Sequence, residues 1–383
     1  SKYTSVLLLA LFPCDVLAWQ HQQRVLLQQS TRTLCSRHAG RQNLHAGGAD
    51  DTSKVRLKEE ESSGGDGAAL FSFGVCSDVQ YAPIPDGAGF SGRPRYYRNS
   101  LAILRRACQD WEARGAHFAL HLGDCVDGLC PREHSAASVR LVVDTFRTFS
   151  GTTHHMVGNH CLYNMPRAQL NKAFNIHSPE ADCSYYSFVH RGFRFIILDG
   201  YDISAEGWAA GHPKSAVALT LLATINPNRN QNSPEGLDGL QRRFVRFNGG
   251  VGPQQLRWLR QELQEAGRQK QRVVVCSHQP LHPESAAPVC LLWNYASVLS
   301  LLWERPRGEV VAVFAGHAHR GGYVRDERGI HHQVVEACLE TPPGQDAHAL
   351  VYAYDDRLVV EGRGAVRSLV MPFETVEGGS ANC

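Results

Sequence analysis

Five short blocks of the sequence end in side chains that bind divalent metals. They are Asp78 and Gln80 in SDVQ, Asp124 in GDCVD, Asn159 and His160 in GNHC, His278 in SHQP, and His317 and His319 in GHAH. Each has an ordinary explanation when taken alone. A histidine after a strand is usually a hydrogen-bonded surface or core residue, and GD or GH is common turn chemistry. In this order, each closing an apolar run, they point to one site. Carboxylate, amide oxygen and imidazole together suit divalent ions such as Mn²⁺. Alternate residues of an extended segment point the same way, so Asp78 and Gln80 can face one ion, and His317 and His319 can reach neighbouring ions. Asp124 can bridge two ions through its two oxygens. Two ions about 3.5–4 Å apart bind a shared hydroxide and clamp phosphate oxygens.

Such a site needs rigid elements to position it. ALFSFGVCSDVQ, HFALHLGDCVD, THHMVGNH, FRFIILDGYD, RVVVCSHQP and VVAVFAGHAH each read as a short β-branched or aromatic strand that stops at acids, amides or histidines. Between them YYRNSLAILRRACQDWEARG, SAASVRLVVDTFRTFS, PQQLRWLRQELQEAG and WNYASVLSLLWE read as helices. Alternating strands and helices predict an α/β fold, with functional groups collected at the carboxyl ends of strands. No repeat recurs at a fixed period.

Composition bounds the rest. The chain has 383 residues, 43% hydrophobic and 20% charged, enough for a sizeable core. A net charge of +2 argues against a nucleic-acid binder, and no apolar run approaches the ~18 residues of a membrane span. None of the 12 cysteines forms a CxxC pair, and several sit in apolar runs, as reduced buried thiols do. Residues 1–49 carry five basic residues against Asp15 alone, so the remainder is slightly acidic. Residues 50–67 are polar and rich in Gly and Ser, which reads as a linker. Residues 1–67 are therefore expected to be an extension that is disordered or targeting (a secretory or organelle signal, or a plain tail), ahead of an enzyme domain over 68–383. The expected location is the cytoplasm, or the mitochondrion or another organelle if the extension is a transit peptide.

The five blocks resemble the calcineurin-like metallophosphoesterase pattern D-x-H, G-D-x-x-D, G-N-H-[DE], H and G-H-x-H, from about Phe73 to Ala365. The resemblance implies a four-layer α/β/β/α sandwich with two central mixed β-sheets flanked by helices. It implies one ion held by Asp78, Gln80, Asp124 and His319, and a second by Asp124, Asn159, His278 and His317. His160 would sit beside the substrate and protonate the leaving group or steady the phosphoryl charge. Gln80 stands where the pattern has His, a weaker and harder ligand that favours Mn²⁺ or Mg²⁺. Cys161 stands where the pattern has an acid, a change beside the ligands rather than among them.

Longer segments narrow the match. GVCSDVQYAPIPDGAGFSGRPRYYRNSL, NSPEGL, FNGGVGPQQLRWL, SHQPLHPES, VCLLWNY and GHAHRGGY closely resemble the manganese-dependent ADP-ribose/CDP-alcohol diphosphatase family. That resemblance implies hydrolysis of ADP-ribose and CDP-alcohols such as CDP-choline or CDP-glycerol, by a hydroxide activated between two divalent metals. Mn²⁺ is the expected metal, with Mg²⁺, Fe or Zn²⁺ as alternatives. The products would be a nucleoside monophosphate and a phosphorylated alcohol or ribose 5-phosphate. Small nucleoside diphosphates are the expected partners of a monomer that binds no nucleic acid.

Specificity must come from outside the metal set. Tyr81, Phe90, Tyr97 and Arg98 follow the first ligand block and suit a base and a diphosphate. The alternative for Tyr96 and Tyr97 is packing at a helix start. Cys290 and Asn294 are expected to line the base or ribose pocket. Asn248, Gly249 and Gly250 read as a loop of close backbone approach. Two rival functions remain: another phosphoesterase of this superfamily, such as a cyclic-nucleotide phosphodiesterase, and a metal-free scaffold.

Overall fold

The computed structural model describes residues 67–89 and 92–374. The expectations for residues 1–66 and for Phe90 lie outside the described residues.

Two six-stranded sheets stack face to face. The first is built on β1 (Phe71–Cys76), β2 (Phe118–His121) and β3 (Thr152–His155), which run parallel. The second is built on β4 (Tyr186–His190), β5 (Phe193–Ile197), β6 (Arg272–Ser277), β7 (Val310–Ala315), β8 (Gly322–Arg325) and β9 (His331–Val334). In that sheet β5, β6, β7 and β9 are parallel, and β4 and β8 close the edges antiparallel. Three antiparallel strands, β10 (Ala347–Ala353), β11 (Arg357–Gly364) and β12 (Leu369–Pro372), complete the first sheet beside β1. Both sheets are thus mixed.

The side-chain alternation of β1 explains the layering. Phe71, Phe73 and Val75 face the second sheet, where Phe73 meets Phe195 edge-on at 5.4 Å and Phe314 at 6.2 Å. The opposite face of β1 meets a helix: a Cβ on Gly74 would lie 2.4 Å from the Trp111 ring, so no larger residue fits there without displacing the indole. Trp111 belongs to α1 (Asn99–Ala113), which packs on this face together with α2 (Arg132–Phe146), and its indole donates to the Ala349 carbonyl at 2.9 Å. In β6 the same alternation sends Val274 and Cys276 between the sheets. Val273 and Val275 go outward, toward α6 (Pro253–Arg268) and α7 (Tyr295–Trp303). Strands buried on both faces read as continuous apolar runs, which is why β1 and β6 carry no polar alternation. The result is the four-layer α/β/β/α arrangement.

Three further helices lie between these in the chain, α3 (Asn159–Asn164), α4 (Arg167–Phe174) and α5 (Pro213–Ile225). No helix among the described residues is long and apolar enough to cross a membrane.

Candidate active site

The ligand blocks follow the carboxyl ends of five parallel strands. Asp78 and Gln80 follow β1, Asp124 follows β2, Asn159 follows β3, His278 follows β6, and His317 and His319 follow β7. The backbone bends hard here: Asp78, Gln80, Asp124 and His317 all have positive φ, between 41° and 65°. Non-glycine residues adopt this conformation at a cost, and such strain gathers at functional sites.

The strain brings the side chains together. Gln80 Nε2 lies 3.2 Å from Asp78 Oδ1, 3.2 Å from Asp124 Oδ2 and 2.9 Å from His319 Nε2. His319 Nε2 is 3.4 Å from Asp78 Oδ1. His278 Nε2 is 3.2 Å from Asp124 Oδ2, and ligand atoms of Asp124, His278 and His317 lie within 4.8 Å of one another. The other carboxylate oxygens accept backbone amides: Asp78 Oδ2 from His317 and Asp124 Oδ1 from His160, both at 2.9 Å. Ser77 also donates to Asp78 Oδ2. Asn159 Oδ1 accepts the Tyr201 hydroxyl at 3.1 Å, which turns the amide nitrogen toward Tyr163 at 3.3 Å.

Burial makes these charges consequential. Asp78 and Asp124 are fully buried. Burial would raise both carboxyls, yet both are held below the usual carboxylate range, Asp78 by His319 and His278 and Asp124 by His278 and His160. Burial would lower His278 and His319, but Asp124 raises the first and Asp78 the second, each to about 9. His317, facing no carboxylate closely enough to offset burial and repelled by His278, drops to about 3. The metal-free site thus draws protons to balance two buried carboxylates. Divalent ions fit it better. The donors are of the right kinds, and Gln80 Oε1 and His278 Nε2 are buried without a hydrogen-bond partner. Glycines keep the space open: a Cβ on Gly158 would fall 2.1 Å from Asp124 Oδ1, and one on Gly316 2.7 Å from Asp78 Oδ2.

Known proteins carry the same plan. A manganese-dependent ADP-ribose/CDP-alcohol diphosphatase of Oryza sativa is 46% identical over 80% of this chain and 95% of its own length. The proteins of that name from Arabidopsis thaliana and Homo sapiens are 45% and 40% identical, over 96% and 93% of their lengths. The chain belongs to the manganese-dependent ADP-ribose/CDP-alcohol diphosphatase family. No family model matches it. Among solved structures, a dimetal phosphatase from Danio rerio superposes with a TM-score of 0.77 at 37% identity, covering 80% of this chain and all of the other.

Around this family's metal-type cluster the structure places residues that sequence reasoning missed. Glu340 Oε1 meets His319 Nδ1 at 2.8 Å, and Arg93 pairs with the same carboxylate at 3.0 Å. Asp127 Oδ2 lies 3.4 Å from both Arg95 and His160. A cavity of about 320 Å³ opens beside His319, lined by Arg93, Arg320, Glu336 and Glu340 among others. Cys161 is buried, and its thiol accepts the Cys125 amide at 3.4 Å. It supports the Asp124 loop from behind.

The expected specificity residues fare unevenly. Cys290 is half-buried in a short 3-10 turn, its thiol pushed up to about 11 by burial and by the Asp78 charge. Tyr81 is half-buried against the main core. Tyr97 is corrected: it is 2% exposed and packs with Ala82, Cys130 and Leu339, as the helix-start alternative requires. Asn294 is corrected too, because both ends of its amide bond the Val251 backbone, at 2.9 and 2.8 Å. Arg98 is an exposed residue at the start of α1, and Arg93 and Arg95 are the arginines that reach the site's acids.

Proposed function

We propose that this chain is a metal-dependent hydrolase that cleaves the diphosphate of ADP-ribose and of CDP-alcohols such as CDP-choline and CDP-glycerol. The products are a nucleoside monophosphate and ribose 5-phosphate or a phosphorylated alcohol. The observation that carries the reading is the set of two carboxylates, two amides and three imidazoles, all buried but His317 and His319 and with unpartnered Gln80 Oε1 and His278 Nε2, in a chain of this family.

Asp78, Gln80, Asp124 and His319 would hold one Mn²⁺, and Asp124, Asn159, His278 and His317 the other. Such ions would supply Lewis acidity and lower the pKa of a bound water. The chain's own residues do the rest. Tyr201 and Tyr163 fix the Asn159 amide. His160 accepts the Gly128 amide at Nδ1 and so holds its proton at Nε2, from which it can donate to the leaving oxygen. Arg93 and Arg320 beside His319 offer positive charge to the phosphate remote from the bond that breaks. The protein acts as a monomer on small nucleotides, without nucleic acid, and the cytoplasm suits its nine described cysteines, all free.

The test is one assay panel with added Mn²⁺: ADP-ribose, CDP-choline, cyclic nucleotides and p-nitrophenyl phosphate. Fastest turnover of ADP-ribose or CDP-choline, abolished by chelation, is expected. Fastest turnover of a cyclic nucleotide or of p-nitrophenyl phosphate would move the protein to another phosphoesterase activity. No bound metal and no turnover would make it a scaffold.

A further inference from the structure

The three imidazoles of the site are not held alike. His278 turns its Nδ1 to the Leu122 carbonyl at 2.7 Å, and His319 turns its Nδ1 to Glu340 at 2.8 Å. Both acceptors fix the hydrogen on Nδ1 and leave Nε2 free for the site. His317 is reversed: its Nε2 meets Asn248 Oδ1 at 2.9 Å.

Which end of the Asn248 amide faces His317 follows from its other contacts. The Nδ2 of Asn248 points at three backbone carbonyls, of Arg243 at 2.9 Å, Val289 at 2.8 Å and Leu291 at 3.3 Å. Only a donor can sit among three acceptors, so the atom toward His317 is the oxygen. An oxygen without hydrogen must receive one from Nε2. A neutral imidazole has a single N–H, so its lone pair is then on Nδ1. Asn248 is fully buried, which prevents water from substituting for it.

We propose that Asn248 is a positioning residue that fixes His317 in the Nε2–H tautomer, so that Nδ1 is presented to a divalent ion. The amide end of Asn248 grips the carbonyls on either side of Cys290. The His317 ring and the segment bearing Cys290 therefore rest on one support. The assignment relies on the dimetal reading of the site, since a tautomer lock has a use only if His317 is a ligand.

Two measurements on the full chain test it. In metal-free protein labelled with ¹⁵N-histidine, the His317 signals (identified by their loss in His317→Gln) should show a protonated Nε2 and an unprotonated Nδ1. A protonated Nδ1 overturns the proposal, and this readout needs no Asn248 variant to fold. Second, Mn²⁺ titration by calorimetry should give two ions in the wild type. Asn248→Ala should weaken one of them by about 10–100-fold, as loss of a ligand's hydrogen-bond partner does. Equal affinities in wild type and Asn248→Ala overturn the proposal. If the wild type binds no Mn²⁺, the dimetal reading fails instead, and the spectrum alone decides the tautomer.

Discussion

Gly128 donates its amide hydrogen to Nδ1 of His160 at 2.7 Å, and the Asp127 carboxylate lies 3.4 Å from the same nitrogen. A ring nitrogen that accepts an N–H carries no proton of its own, so the proton is on the other nitrogen, Nε2. His160→Ala should therefore lower kcat by about 10²–10⁴-fold. Calorimetry should still count two bound Mn²⁺, because His160 supplies no ligand atom to the set assigned here. An unchanged kcat would strip His160 of a role in proton transfer.

Gly158 leaves room for the carboxylate that both ions would share. Its Cβ, if it had one, would sit 2.1 Å from Asp124 Oδ1 and 2.8 Å from the Asp124 amide. Gly158→Ala should displace Asp124 and cost both metal binding and turnover, as Asp124→Asn should. Metal analysis of the purified variant checks this. Full occupancy in Gly158→Ala would mean that the loop relaxes without moving the ligand.

Metal binding should release protons. His278 and His319 stand at about 9 in the metal-free site, above the ordinary 6.5, so both are protonated at neutral pH. An imidazole must be neutral to ligate. Mn²⁺ binding near pH 7 should release about two protons, and the apparent affinity should rise with pH until it levels off near 9. Calorimetry in buffers of different ionisation enthalpy counts the protons. A count of zero would place the positive charge elsewhere.

Acid should destabilise the fold through histidines behind the site. His121 and His155 are fully buried and face each other Nδ1 to Nδ1 at 3.2 Å, and His121 is lowered by burial to about 4. Burial lowers His154 to about 4 and His155 well below its ordinary value. The unfolded chain binds their protons near pH 6.5 and the folded chain does not, so stability is full above 6.5 and falls as pH drops toward 4. For His121 alone the loss approaches roughly 3 kcal/mol. Thermal melts of metal-free protein from pH 7 to 4.5 measure it, and His155→Phe should flatten the slope. A melting temperature that holds steady over that range would contradict the assignment.

Much of this was readable in the amino acids. The strands buried on both faces announce themselves as apolar runs, and each ends at its ligand. α5 carries no helical signal in the sequence, because Ala216–Ala223 is apolar nearly all round and shows no helical period. The groups that orient the ligands were hidden for another reason. Glu340 is 21 residues from His319 and Asn248 is 69 from His317, and no motif links such pairs. Only folding makes them neighbours: β7, which precedes His317 and His319, pairs with β9, which precedes Glu340. Chain position points to Arg98, but Arg93 and Arg95, beside the strand that pairs Gly87–Ala88 with Pro94–Arg95, are the arginines that meet Glu340 and Asp127.

The division of the ligands between the sheets has a mechanical meaning. Asp78, Gln80, Asp124 and Asn159 hang from the first sheet, and His278, His317 and His319 from the second. Ions held between them would act as rivets through the seam of the sandwich. A ligand that binds only the folded state stabilises it by about 2.7 kcal/mol at a hundredfold excess over its Kd. The lifetime of the protein would thereby be tied to its supply of metal: starvation would loosen the seam as well as stop the chemistry.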